Sequence, residues 1–206
     1  MTAMTKRMLL VCMTVLMSLC RVQAQDGFSK DGATTFHIGC GYAKIADAYT
    51  SSGFSMGVEA RFYTTERLFA DFYGQWGNSE GSKEVMQKGS PFSINDERNS
   101  LLGVVGVGYD VFQSEDKKFC AYVRTLAGYG VMHSKYDDYQ PLTEDDGVIT
   151  RMRDRRDKGF AAVCGVGFDT RFKGWLLTPS FDMIYVGNRW NMAAMLSVGF
   201  FCSFSY

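Results

Sequence analysis

The chain has 206 residues, 46% hydrophobic and 15% aromatic, with 22 glycines, only three prolines, and 22 basic residues against 22 acidic ones. A neutral balance, with basic residues scattered or offset by nearby acids, excludes a nucleic-acid partner, which needs a basic face. The length fits one domain, and many glycines and aromatics with few prolines lean toward β structure.

Lys6 and Arg7 precede an uncharged apolar run from Met8 to Cys20, and Val22-Gln23-Ala24 has the small-residue spacing of a cleavage site. Residues 1–24 therefore read as a secretory signal peptide, and residues 25–206 as the exported domain. That run is too short to cross a bilayer as a helix, and no later stretch reaches the roughly 18 apolar residues a spanning helix needs. Cys20 follows Leu19, a poor setting for lipid attachment. Removing residues 1–24 leaves 19 basic against 22 acidic residues, a formal charge near −3.

Period-two alternation then recurs along the chain. Three strands are expected at Thr34–Ala43, Gly53–Thr64 and Arg67–Gly77, the second alternating Phe54, Met56, Val58, Ala60 and Phe62 with Ser55, Gly57, Glu59, Arg61 and Tyr63. A fourth, Asn99–Val111, sets Leu101, Val105, Val107 and Tyr109 against Gly106, Gly108 and Asp110, with Leu102 and Val104 blurring its phase. The fifth, Phe119–His133, carries Arg124 opposite its apolar face, and the sixth, Gly159–Phe172, carries Asp169 and Arg171 there. In the seventh, Trp175–Val186, Pro179 cannot donate to a ladder, so a bulge is expected. The eighth, Met192–Tyr206, alternates Met192, Ala194, Leu196 and Val198 with Ala193, Met195, Ser197 and Gly199, with Phe201 out of pattern. Its aromatic end, Phe204 and Tyr206, resembles the C-terminal assembly signal of bacterial outer-membrane barrels.

Connections after the second, fourth and sixth strands are short, whereas Asn78–Arg98 and Ser134–Lys158 are long and charged. One end of the sheet is thus trimmed and the other decorated, as in barrels with both termini in the periplasm. Glycine tells the faces apart. Gly39, Gly57, Gly106, Gly108, Gly128, Gly165, Gly167 and Gly199 share the face of Glu59, Arg61, Asp71, Asp110, Arg124, Asp169, Arg171 and Asp182. On a solvent face such glycines would weaken the strands without return; in a narrow lumen they make room for long charged side chains. These eight charged residues are expected to form one ion-pair network. Aromatics gather at both ends of the opposite face, Phe62, Tyr109 and Trp175 at one and Tyr42, Trp76 and Trp190 at the other, like the girdles at two membrane interfaces.

Signal peptide, eight amphipathic strands, alternating short and long connections and a terminal aromatic together resemble the outer-membrane β-barrel family that includes OmpX and the membrane domain of OmpA. The resemblance implies an all-β, eight-stranded, antiparallel up-and-down transmembrane barrel. It also implies the outer membrane of a Gram-negative bacterium, with the lipid bilayer, the outer-membrane assembly machinery and an unidentified extracellular partner as contacts.

The four cysteines left after residue 24 show no zinc spacing, and no cofactor, metal or catalytic set is expected. His133 and Ser134 are adjacent on a strand and point to opposite faces, which disposes them badly as base and nucleophile. The expected role is non-enzymatic, structural or surface-binding. A narrow pore for small solutes is the alternative, followed by a lipid-modifying enzyme or a soluble ligand carrier with its apolar face inside. The connection Ser134–Lys158 is acidic first and basic afterwards, with Asp146-Gly147 as a hairpin signal. Folding there would set Asp138 opposite Arg155 and Asp137 opposite Arg156, making a protruding ribbon and a candidate binding surface.

Overall fold

The structure is a computed structural model that describes residues 29–45, 52–87, 90–141 and 147–202. Residues 1–24, Phe204 and Tyr206 lie outside the described residues. Eight strands account for nearly all of them: β1 (Thr34–Ile45), β2 (Ser52–Tyr63), β3 (Leu68–Gln87), β4 (Ser90–Gln113), β5 (Phe119–Pro141), β6 (Gly147–Phe172), β7 (Trp175–Val186) and β8 (Arg189–Cys202). Each pairs antiparallel with its sequence neighbours, and β1 closes the ring on β8, from Thr34↔Cys202 to Ile45↔Asn191. This is the eight-stranded up-and-down barrel that the resemblance implies.

Side chains divide as a filled barrel requires. On β8, Asn191, Ala193, Met195 and Ser197 are buried inside while Met192, Leu196 and Val198 are exposed outside. Leu102 and Val104, which blur the phase of β4, are both buried and belong to the lumen. Phe201 also faces inward, packing with Ala33 and Leu176 at the short-turn end.

Two local expectations are corrected. Pro179 produces no bulge: β6 and β7 keep one register from Ala162↔Tyr185 to Phe172↔Trp175 and simply lack the pairs between Gly167↔Ser180 and Thr170↔Leu177. A missing N–H removes a ladder bond without inserting a residue. A register shift falls instead between Asp110 and Phe112, where β4 meets β5. The last loop, expected as Gly187–Asn191, is a two-residue turn, with Gly187 and Asn188 at φ of 60° and 61°. Two consecutive left-handed residues match the twist of a hairpin, so β8 starts earlier, at Arg189.

The long connections are built largely as strands. Asn78–Arg98 is mostly strand, with β3 and β4 paired out to Gln87↔Ser90, and β5 and β6 run on to Pro141↔Gly147. Strand β4 also pairs with β5 as far as Asp96↔Tyr136. Among the described residues, pairing with β2 reaches Ser52↔Glu80 and pairing with β7 reaches Ala162↔Tyr185. Beyond those points β3–β4 and β5–β6 project as two ribbons of the sheet, paired with each other only as far as Asp96↔Tyr136 and linked past it by the Asn95 N–H donating to Asp137 and the Tyr139 hydroxyl donating to the Met86 carbonyl. Where β6 leaves β7, Gly159 adopts φ of 155°, a conformation that side-chain-bearing residues rarely take.

Candidate functional site: a filled lumen and a projecting sheet

Near the short-turn end, two arginines span the bore. Arg124 on β5 places Nη1 2.9 Å from Glu59 Oε2 and 3.2 Å from Asp71 Oδ2, and Nη2 2.9 Å from Asp182 Oδ2. Arg61 on β2 donates through Nε to Glu59 and sits 2.9 Å through Nη1 from Asp169 Oδ2. Strands β2, β3, β5, β6 and β7 are therefore cross-linked through the inside of the barrel. Thr178 donates to Asp169 at 2.8 Å, and the His37 ring lies 3.0 Å from Thr35 Oγ1.

Aromatic rings complete this layer. The Arg61 guanidinium lies 4.0 Å from the Tyr122 ring centroid, and that of Arg124 lies 4.4 Å from Tyr73. Cation–π contact of this kind satisfies the broad faces of guanidinium groups whose edges are ion-paired. Small residues opposite make the room. A Cβ on Gly165 would strike the Asp182 carboxylate and come within 3.0 Å of Arg124 Nε, and one on Gly167 would strike the Tyr122 ring.

Asp110 and Arg171 stand apart from this cluster. Asp110 is neutralised by Lys30, whose Nζ sits 2.5 Å away and 4.7 Å from the Tyr63 ring centroid. Lys30 precedes β1 and reaches into the mouth from a short turn, where the Gly32 N–H donates to the Tyr63 carbonyl. Nothing in the strand alternation could reveal it, because it lies outside every strand. Arg171 is half-exposed at the short-turn rim, its guanidinium 5.2 Å from the Phe201 ring centroid. It is on the inward face but too near the strand end to reach the network.

Toward the other end the lumen turns apolar. Ile45, Leu102, Val104, Leu126, Met132, Val163, Ile184 and Val186 pack together with Ala161 and Ala193. Leu126, Met132, Val163 and Val186 are all 1% exposed or less. An ionic layer and an apolar layer thus fill the bore in series.

The projecting sheet carries a different chemistry. Asp96 and Arg98 of β4 form a buried pair, with Arg98 Nε 2.8 Å from Asp96 Oδ1. On the β5–β6 ribbon Asp138 lies opposite Arg151 and Asp137 opposite Met152, correcting the expected pairs with Arg155 and Arg156. The ladder keeps a single offset from Phe119↔Thr170 up to Asp138↔Arg151, so the register is set by the barrel and not by the Asp146-Gly147 turn signal. Oppositely charged contacts still form: Arg153 Nη2 lies 2.6 Å from Asp138, and Arg155 Nε 2.8 Å from Asp157. His133 Nε2 sits 2.5 Å from Asp154 Oδ1 while Ser134 is buried on the opposite face, which separates the two residues weighed as base and nucleophile. Among the described residues no group of three His, Cys, Asp or Glu is placed to hold a metal.

The outer surface explains the setting. Ile38, Met56, Val58, Leu101, Val105, Val123, Val166 and Met183 are exposed around the wall. Rings flank this band, Phe62 with Phe72 and Trp175 with Phe200 toward one end, Phe54 with Trp76 and Tyr185 with Trp190 toward the other. A soluble carrier would place the apolar face inside; here it lies outside, over a polar and ionic interior, which is the surface of a barrel solvated by lipid.

No known family model matches the sequence, and no curated protein is detectably similar to it. Similarity appears at the level of structure. The crystal structure of Ail, the attachment invasion locus protein of Yersinia pestis, matches with a TM-score of 0.53 at 11% identity, over 83% of this chain and 99% of that one. Ail in complex with the heparin analogue sucrose octasulfate gives a TM-score of 0.52 at 12% identity over the same shares. The outer membrane protein OprG from Pseudomonas aeruginosa aligns over 87% of this chain with a TM-score of 0.47 at 11% identity. The fold is that of the small outer-membrane β-barrels. Within that class the chain has the eight-stranded architecture of OmpX and the OmpA membrane domain.

Proposed function

We propose that this chain is exported by removal of residues 1–24, enters the Gram-negative outer membrane with Phe204 and Tyr206 as its signal to the assembly machinery, and acts as a closed barrel whose work is done outside the cell. The short turns then face the periplasm and the β3–β4 and β5–β6 ribbons face out. Those ribbons are the observation that carries the reading: four of eight strands run past the barrel mouth, well beyond what spanning the bilayer requires. Among the described residues the outer edge of β6 from 151 to 161 has no paired strand and offers backbone groups to an external partner, a mode of recognition that sheets commonly use. The two filled layers support a structural body in preference to a pore. Ail, a barrel of this fold, is an attachment protein by name and takes a sulfated heparin analogue, so outward binding is compatible with the architecture.

Two measurements test this. Refolded protein in planar bilayers should give no steady single-channel conductance; regular conductance steps would overturn the closed lumen and favour the small-solute pore. Cells displaying the full chain should be retained on a partner-coated surface better than cells displaying a barrel with β3–β4 and β5–β6 cut back to short turns. Equal retention on every surface tried would remove the external role.

A further inference from the structure

Resting on that outward reading, we propose that the free edge of β6 selects an acidic, extended peptide strand as its partner. Strand β6 has a neighbour on the β7 side only from Ala162 inward, so among the described residues the stretch 151–161 has β5 on one side and nothing paired on the other. Alternate residues of that stretch therefore present backbone N–H and C=O groups outward, a template for one more strand.

Its side chains are one-sided in charge. Between positions 151 and 158 stand Arg151, Arg153, Arg155, Arg156 and Lys158 against Asp154 and Asp157. All but Asp157 are exposed. The acids are already engaged, Asp157 by Arg155 and Asp154 by His133. Arg153 is paired with Asp138, whereas Arg151, Arg156 and Lys158 have no ion pair among the described residues. Arg151, Arg153 and Arg155 share one face of the strand and Arg156 and Lys158 the other. A groove of about 380 Å³ runs along Arg151–Arg155.

An incoming strand would set its side chains beside basic groups on both faces, so alternate carboxylates on either face find partners. Cross-strand pairs of opposite charge stabilise and like charges opposite each other destabilise. The same rule disfavours a second copy pairing edge to edge through β6, since both edges carry the same excess charge. A sulfated glycan would meet the charge but leave the ladder of backbone groups unfilled, so the geometry favours a peptide.

The test uses the full chain refolded in lipid nanodiscs and four labelled probes read by fluorescence anisotropy. They are a ten-residue peptide alternating Glu with Thr and Val, its Lys counterpart, the acidic peptide with two interior prolines, and the uncharged Thr/Val peptide. The acidic peptide should bind at least tenfold tighter than each of the others, and its binding should slow amide exchange across residues 151–158. The exposed double change R151E/R156E should reverse the preference between the Glu and Lys peptides. Equal binding of the proline-containing peptide, or displacement by sucrose octasulfate with no change in amide exchange, would overturn strand addition in favour of polyanion attraction. Equal binding of the uncharged peptide would overturn charge selection while leaving the outward role intact. Failure of all peptides together with undiminished retention of ribbon-truncated cells would bring down both.

Discussion

Arg124 and Arg153 stand on adjacent, paired strands, both held by aspartate, in two different media. Arg124 lies in the lumen with its side chain 1% exposed and three carboxylates around it; Arg153 lies on the projecting sheet with its side chain 42% exposed and one. A guanidinium in the closed bore can be neutralised only by protein groups, so its partners are obligatory, whereas Arg153 exchanges its carboxylate for water at little cost. Ion pairs inside this barrel fix its geometry; an exposed one such as Arg153 with Asp138 is open to a partner.

Removing each arginine should expose the difference. Arg124→Met leaves Glu59, Asp71 and Asp182 without their shared cation, and breaking a buried pair typically costs about 3 to 5 kcal/mol. The urea midpoint of the heat-modifiable folded band in lipid vesicles should fall accordingly. An unchanged midpoint would mean that water reaches the network and that the two regions are electrostatically alike.

Volume sharpens the same contrast on a smaller scale. Gly165 faces the packed lumen, where a Cβ would meet Asp182 and Arg124; Gly103 faces outward with nothing within 4 Å. Gly165→Val should destabilise by about 1 to 3 kcal/mol through overpacking, while Gly103→Ala should be neutral or slightly stabilising. The same unfolding assay decides it, and equal effects would mean that the lumen around Arg124 is loose.

The two regions also differ in how far sequence reveals them. Inside the membrane one face meets lipid and the other a crowded interior, so Met192, Leu196 and Val198 alternate visibly with Ala193, Met195 and Ser197 and the strand declares itself. Outside, both faces of β3, β4, β5 and β6 are wet over much of their length. Residues such as Glu80, Ser82, Lys83 and Glu84 show no period although they are fully paired in the ladder. Alternation reports a contrast in solvent, not strand formation as such. The lumen is legible for a related reason: an acid or arginine among glycines on a lipid-facing strand has only one place to go. What stays hidden is which charges meet. Lys30 is invisible because it comes from a turn, and Arg171 is misleading because its distance from the strand end decides its neighbours.

A smaller effect is expected from the projecting sheet itself. Arg153→Met should lower stability by less than about 1 kcal/mol, as exposed pairs do. Hydrogen exchange should rank the same strand internally: amides of β6 across 162–172, paired on both sides for most of their length, should exchange more slowly than those of 151–158, paired on one. Both stretches should remain slower than an unfolded peptide. Exchange of 151–158 at the unfolded rate would dissolve the projecting sheet and with it the comparison.

The smallest effect belongs to a wet carboxylate at the short-turn end. Glu66 accepts a hydrogen bond from Ser29 Oγ at 2.5 Å and one from the Lys30 N–H at 3.3 Å, and faces Lys117 Nζ at 3.0 Å. Slight burial pushes its pKa up, but these donors and the lysine outweigh it and hold the carboxyl below its ordinary value of 4.5. A carboxyl depressed on folding contributes stability that is fully present above its unfolded value and disappears as pH falls through the lowered folded value. With a side chain 41% exposed, the contribution should be only a few tenths of a kcal/mol after solvent screening. Wild type and Glu66→Gln should therefore differ slightly in unfolding midpoint at pH 7, and the difference should fade as the pH is taken below that ordinary value. A difference constant from neutral to strongly acid solution would show that Glu66 acts by packing or as a neutral hydrogen-bond partner. The clasp that ties the segment before β1 to the first two short turns would then owe nothing to charge.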